Sequence, residues 1–263
     1  MGTVTKLIPS DTLHRFLRRQ MGDNKLLMVA VSGPHAYGYP HPDSPLELKG
    51  LHVEPTENLV GLTAPPRAHS WVGEVDGFRI DYSSLELGEA LVRLLRGDGS
   101  ILERLLAPRQ LVRGEDLRRL QKIARGVICR RFYSHYKTFA RGVARDLDAG
   151  EQRTVRQVLA TYRMGLTGVH LFRTGKVVVE LLALAKPYRM ARIKDLVRMH
   201  QQDADALVPN DSPWLTRIVK LHALLEDAVE GSSLPIDPDN PKAAEEYLLD
   251  MRRRFFDAPT IKQ

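Results

Sequence analysis

Cysteine is nearly missing from this sequence: Cys129 stands alone among 263 residues. One thiol excludes an internal disulfide, suits a reducing cytoplasm, and with scattered histidines gives no expectation of a zinc site. Long apolar runs are missing too. No stretch of about 18 or more uncharged apolar residues occurs, so no membrane-spanning helix is expected. The opening MGTVTKLIPSDTLHRFLRRQ has neither an apolar signal core nor a small-residue cleavage site, and a cytoplasmic protein without membrane partners is expected. Repeats and low-complexity tracts are absent. Hydrophobic residues make up 43% of the chain, which leaves ample material for a core.

Acidic residues are scarce in one place. Residues 1–108 carry 11 Lys/Arg against 13 Asp/Glu, and residues 146–263 carry 17 against 17. Residues 109–145 carry 11 against 2, so the net charge of +7 comes entirely from that segment. Such a localised excess points to a polyanion, with Arg130, Arg131, Lys137 and Arg141 as candidate nucleic-acid contacts beside Phe132, Tyr133 and Tyr136. An ordinary solvated helix face is the alternative for the same residues.

The pattern divides the chain into a small α/β part over 1–108 and a helical part over 109–263. An amphipathic helix is expected at 9–21, with Leu13, Phe16 and Leu17 on one side. Strands are expected at 25–31, 48–55, 68–75 and 78–87. Helices follow around 86–96 and 100–108, broken at Gly97-Asp98-Gly99. Ile128, Phe132, Tyr136, Phe139 and Val143 form an apolar helical stripe, and further helices are expected at 151–174, 176–185, 191–203, 212–229 and 241–255.

Between the first two strands lies SGPHAYGYPHPDSPLELKG, residues 32–50. Carboxylates on strands, with a glycine turn before them, suit the handling of a triphosphate and of divalent metal. The order of these pieces resembles the DNA polymerase β-like nucleotidyltransferases, in particular a bacterial branch associated with RNA end repair. That family's pattern is a strand, Gly-Ser-Arg-Ala-x-Gly, Ser-Asp-x-Asp-x-x-Gly, and a strand bearing a third Asp. Here Gly33-Pro34-His35-Ala36-Tyr37-Gly38 and Asp43-Ser44-Pro45-Leu46-Glu47-Leu48-Lys49-Gly50 take the first two places, and Asp81 in FRIDYSSLEL takes the third.

The resemblance implies an α+β protein: a small mixed-sheet nucleotidyltransferase domain followed by an α-helical domain. It implies transfer of a nucleotidyl group from an NTP to an acceptor hydroxyl, RNA being one acceptor, with Mg²⁺ or Mn²⁺ on Glu47 and Asp81. Gly33, His35, Lys49, Arg163, His170 and Arg173 would contact the nucleotide. Two departures stand out. Pro34 replaces a serine, and Pro45 replaces the first metal-binding Asp, leaving no ligand there. Asp43, two residues upstream, is the available substitute metal ligand.

Loss of the metals would leave a nucleotide- or RNA-binding module on the same fold. Arg163 and His170, like Arg130 and His135, also match the Arg-x(4–6)-His spacing of a family of metal-independent helical ribonucleases, a third reading of the same residues.

Overall fold

The computed structural model describes residues 8–21, 24–63, 65–138, 142 and 151–256. It contains a five-stranded mixed sheet in the order β3-β4-β2-β1-β5, formed by β1 (Lys25–Ser32), β2 (Leu46–Val53), β3 (Ala68–Val75), β4 (Phe78–Glu86) and β5 (Gln110–Val112). Only β2 and β4 run parallel; the other neighbours are antiparallel. The expected strands are all present. The fifth comes from residues just beyond 108, where the sequence pattern had turned helical.

Alternation along the strands gives the sheet two faces. Leu46, Leu48, Ile80 and Tyr82 pack with Val29 and Val31 beneath α1 (Ser10–Met21), which contributes Leu13, Phe16 and Leu17. Phe16 meets Trp71 and Tyr82, with ring centroids 4.9 and 5.7 Å away. The opposite face carries Leu51, Val53 and Leu85 into a much larger core. That core continues without a break through both parts of the chain.

A short α2 (Gly33–Tyr37) and α3 (Thr56–Val60) decorate the sheet ends. The helix–turn–helix after β4 is α4 (Leu87–Leu95) and α5 (Gly99–Leu106). Glu86 caps α4 by accepting from the Gly88 N–H, and Asp98 caps α5 by accepting from Ser100. Then come α6 (Glu115–Gly126), a 3₁₀ turn at Arg130–Phe132 and one helical turn, α7 (Tyr133–Tyr136). The expected long stripe helix is therefore not continuous: Ile128 and Cys129 are non-helical and only short helical turns follow, while Phe139, Arg141, Val143 and Arg145 lie outside the described residues.

The helical part is organised around α8 (Val155–Thr174), which has a Thr154/Gln157 capping box and ends at Gly175 in the left-handed conformation. Around it lie α9 (Leu181–Ala185), α10 (Ile193–Gln202) and α11 (Pro213–Glu230), with a two-strand ribbon of β6 (Arg153–Thr154) and β7 (Leu207–Val208). Residues 176–180, expected to be helical, are extended loop. The last helix, α12 (Lys242–Arg254), returns to α6: Arg254 pairs with Asp116 at 2.7 Å, and the Tyr247 hydroxyl donates to the Asp116 carbonyl. Among the described residues, no helix is long and apolar enough to cross a membrane.

Gly97 joins α4 to α5 at φ 87°, a region L side chains rarely adopt, and a Cβ there would meet the Arg131 backbone at 2.8 Å. Gly97→Ala should therefore cost roughly 2–3 kcal/mol. The check is a urea titration, in which the midpoint falls while the slope is unchanged.

Candidate functional site

The residues 32–50 loop holds itself together before it holds anything else. Gly33 (φ 62°) lets the chain leave β1 in a tight turn; a Cβ there would fall 2.2 Å from Glu47 Oε1. Only glycine lets the turn backbone rest on that carboxylate. Gly38 (φ 85°) closes α2 by donating its N–H to the Pro34 carbonyl. Beyond it the His41 N–H donates to Ser44 Oγ at 3.0 Å, the Ser44 N–H donates to the His41 carbonyl, and His35 Nε2 meets the Ser44 carbonyl at 3.2 Å. The prolines thus shape an ordered connection, with one turn of helix that their density concealed.

At the sheet end this loop covers, Glu47 and Asp81 are register partners across β2 and β4 and project from the same face. Lys49, one alternation along β2, places Nζ 3.3 Å from Asp81 Oδ1. Burial raises the Glu47 carboxyl above its ordinary value; Asp81 pushes the same way, and Lys49 opposes both. A partly buried carboxylate beside a second one calls for positive charge. Pro45 precedes the strand without a ligand group, and Asp43 does not replace it. The Asp43 side chain is 82% exposed and sits 3.5 Å from His41 Nδ1. The residues present thus suit one divalent cation between Glu47 and Asp81, in the place the lysine ammonium serves, and do not furnish a two-metal clamp.

Beside these groups open two adjoining cavities, of about 240 and 600 Å³. Glu47, Lys49, Arg104, His135 and Arg163 line the smaller; His35, Gly38, Arg109 and Glu180 line the larger; Ala36, Glu103, Ala107 and Val179 are common to both. Arg163 reaches this wall from α8, as expected, but its guanidinium is committed. Its Nη1 lies 2.8 and 2.7 Å from the two oxygens of Glu103, and its plane stacks at 4.3 Å on the Tyr37 ring. Tyr136 donates to the same carboxylate at 3.1 Å. Burial works against the Arg163 charge, yet Glu103 outweighs it and holds its pKa above the usual range. Arg104, whose Nη1 donates to the Gly50 carbonyl, is pushed down to about 10 by burial.

Glu103 and Arg104 were not singled out in the sequence; Tyr37 entered only as a member of the Gly33–Gly38 element, and His135 only as half of an Arg–His pair. Glu103 lies 60 residues from its partner, and no local spacing marks such a pair.

Other sequence candidates lie elsewhere. His170 Nδ1 meets the Tyr188 hydroxyl at 3.0 Å, and Arg173 stacks on the same ring; neither lines either cavity. Arg130 donates to the carbonyls of Ser232 and Leu234, and Arg131 pairs with Asp237 at 2.6 Å. Lys137 lies over the Tyr133 ring at 4.9 Å. Arg141 lies outside the described residues. The basic segment instead displays Arg118, Lys122 and Arg125 on the exposed side of α6. Arg163 and His170 are turned to different partners, as are Arg130 and His135, which approaches Asp98 at 3.7 Å. Neither Arg–His pair converges on one point.

Comparison with known proteins identifies a family. The RlaP model, described as an RNA repair pathway DNA polymerase beta family, matches residues 8–250. An uncharacterized protein of Methanocaldococcus jannaschii is 25% identical over 144 residues, covering 53% of this chain and 58% of its own length. The chain thus matches little more than half of that relative. A crystal structure of a nucleotidyltransferase-like protein from Exiguobacterium sibiricum aligns over 93% of this chain and 80% of its own, at 12% identity and a TM-score of 0.30, too low to establish a shared fold.

The buried Arg163–Glu103 pair makes a measurable prediction. Glu103→Leu should cost about 3–5 kcal/mol, because it strands a buried guanidinium, whereas Glu103→Leu with Arg163→Leu should cost less than the single change. Equilibrium unfolding of the two singles and the double gives the comparison directly.

Proposed function

The chain belongs to the RNA repair pathway DNA polymerase beta family, and from that premise we propose that it transfers a nucleotidyl group from an NTP to an acceptor hydroxyl, with RNA as the acceptor class. The observation that carries this reading is the register pairing of Glu47 with Asp81 on one sheet face, with Glu47 and Lys49 lining the smaller cavity. Those two carboxylates would hold one Mg²⁺ or Mn²⁺, which supplies charge neutralisation to a bound triphosphate. Lys49 stands where it exchanges Asp81 for an incoming phosphate. Arg104 adds positive charge to the wall, while the Glu103-bound Arg163 orders Tyr37 and with it the loop. His35 and Arg109 line the larger cavity, where the rest of the nucleotide would lie. For the acceptor, the exposed cations of α6 offer phosphate contacts, supported by the charge excess of residues 109–145.

A second reading has its own support. Pro45 in place of a ligand and the direct Lys49–Asp81 contact describe a site whose metal charge has been replaced by lysine, as in a nucleotide- or RNA-binding module without transfer. Labelled NTPs, short RNAs and Mg²⁺ or Mn²⁺ separate the two. Incorporation by the native protein that drops about 100-fold or more in Asp81→Asn supports transfer. NTP or RNA binding without incorporation, with transfer gained only in Pro45→Asp/Glu47→Asp, overturns it in favour of the binding module.

A further inference from the structure

At the other end of the same sheet, and on its other face, three potential ligands meet with no role in the site above. His52 is next to last in β2 and Glu54 just follows that strand; His69 lies near the start of β3. One ligand atom from each lies within 4.8 Å of the others. His52 lies five positions along β2 from Glu47, about 17 Å at strand rise. His52 lies on the face of Leu48 and Leu46, whereas Glu47 and Lys49 lie on the opposite one.

The orphaned atoms point inward. His52 is 1% exposed and its Nε2 has no hydrogen-bond partner; Glu54 is 5% exposed and its Oε2 has none either. A buried imidazole nitrogen and a buried carboxylate oxygen, both unanswered and side by side, are costly unless something meets them. Each of the three side chains has one polar atom with a supporting partner. His52 Nδ1 is 2.8 Å from Ser84 Oγ, Glu54 Oε1 accepts from Asn58 Nδ2 at 2.9 Å, and His69 Nε2 is 3.2 Å from the Asn24 amide. Metal-ligating histidines and carboxylates are held in this way, one atom fixed by an outer contact and one turned to the ion. The remaining carboxylate nearby, Glu86, is occupied by Arg252 at 2.7 Å and by the Gly88 N–H.

We propose that His52, Glu54 and His69 form a binding site for a divalent transition metal of the zinc class, with a fourth position left for water or a small ligand. Two borderline imidazole nitrogens beside one carboxylate oxygen make a donor set that selects Zn²⁺ or Co²⁺ over Mg²⁺. Tetrahedral coordination at about 2.0–2.2 Å sets donors about 3.4 Å apart, so from the 4.8 Å limit the widest pair closes by up to about 1.4 Å, the half-buried His69 ring being the freest to move. The ion would tie β3 to the ends of β2 and β4 and to the lead-in of β1.

The test strips the protein with a chelator and titrates it with Zn²⁺, Co²⁺ and Mg²⁺, following stoichiometry with a competing chromophoric chelator and Co²⁺ binding by its visible absorption. His69→Gln, Glu54→Gln and His52→Gln are compared with His41→Gln, which alters the other histidine pair, His41 and His200, whose rings lie 5.9 Å apart. His69 is only half-buried, so His69→Gln keeps the test valid if the His52 variant fails to fold. The expected result is one Zn²⁺ per chain, four-coordinate Co²⁺ bands, no competition from Mg²⁺, and affinity weakened about 100-fold or more in His69→Gln with circular dichroism unchanged. Zinc bound equally by native protein and His69→Gln would overturn the proposal. So would loss of zinc in His41→Gln alone, or no binding beyond that of Mg²⁺.

Discussion

The parallel pairing of β2 with β4 is the constraint on which the rest of the molecule depends. It matches Glu47 with Asp81, Lys49 with Ser83, Leu51 with Leu85 and His52 with Glu86. Because strand side chains alternate, a slip of one residue would carry every one of them to the wrong face. Glu47 and Lys49 would then point beneath α1, among Leu13, Phe16 and Leu17, while Leu46 and Leu48 would lose that cover. The hydrophobic partition of the sheet therefore enforces the register, and the register assembles the carboxylate pair. Strong packing in one layer sets the geometry of charged groups in the other.

The second organising interaction is the buried Arg163–Glu103 pair. Glu103 belongs to α5, which follows the sheet, and Arg163 to the central helix of the later part. Joined at 2.7 Å and capped by Tyr37 and Tyr136, they make the cleft wall a joint product of both halves of the chain. A buried pair of this kind adds little net stability compared with apolar side chains of the same size. Its effect is positional: a planar guanidinium held from one edge presents a fixed surface on which Tyr37, and so the loop carrying Gly33 and Gly38, can settle.

Much of this was legible in the sequence, and the exceptions have physical causes. Strands with clear alternation, the Gly97-Asp98-Gly99 break and the order of Gly33, Glu47, Lys49 and Asp81 can be read locally, because each depends on neighbours in the chain. The short helix after Gly33 was hidden because proline at a first helical turn looks the same as proline in a loop. The stripe from Ile128 to Val143 suggested one continuous helix, yet Arg130 turns out of it to bind the carbonyls of Ser232 and Leu234. A contact more than 100 residues distant overrode local periodicity. His170 and Arg173 share a helix with Arg163, but helical spacing left open which of them would reach the cleft. Likewise 17 residues and a change of strand separate His52 from His69, so their meeting is a property of sheet order alone.

The two ends of the sheet differ in chemistry as well as position. At the Glu47 end the proposed ligands are carboxylate oxygens only, beside a lysine and two arginines, an environment suited to a hard cation and phosphate. At the His52 end they are two imidazoles and one carboxylate, in a cluster half closed to solvent and backed by neutral partners in Ser84, Asn58 and Asn24. Hard and borderline donors sort cations by ligand type before any difference in affinity is considered. On the proposed readings, magnesium at one end and zinc at the other would not exchange places, because each would have to accept the wrong donor set. The intervening sheet, whose own packing holds both sets in register, keeps them apart.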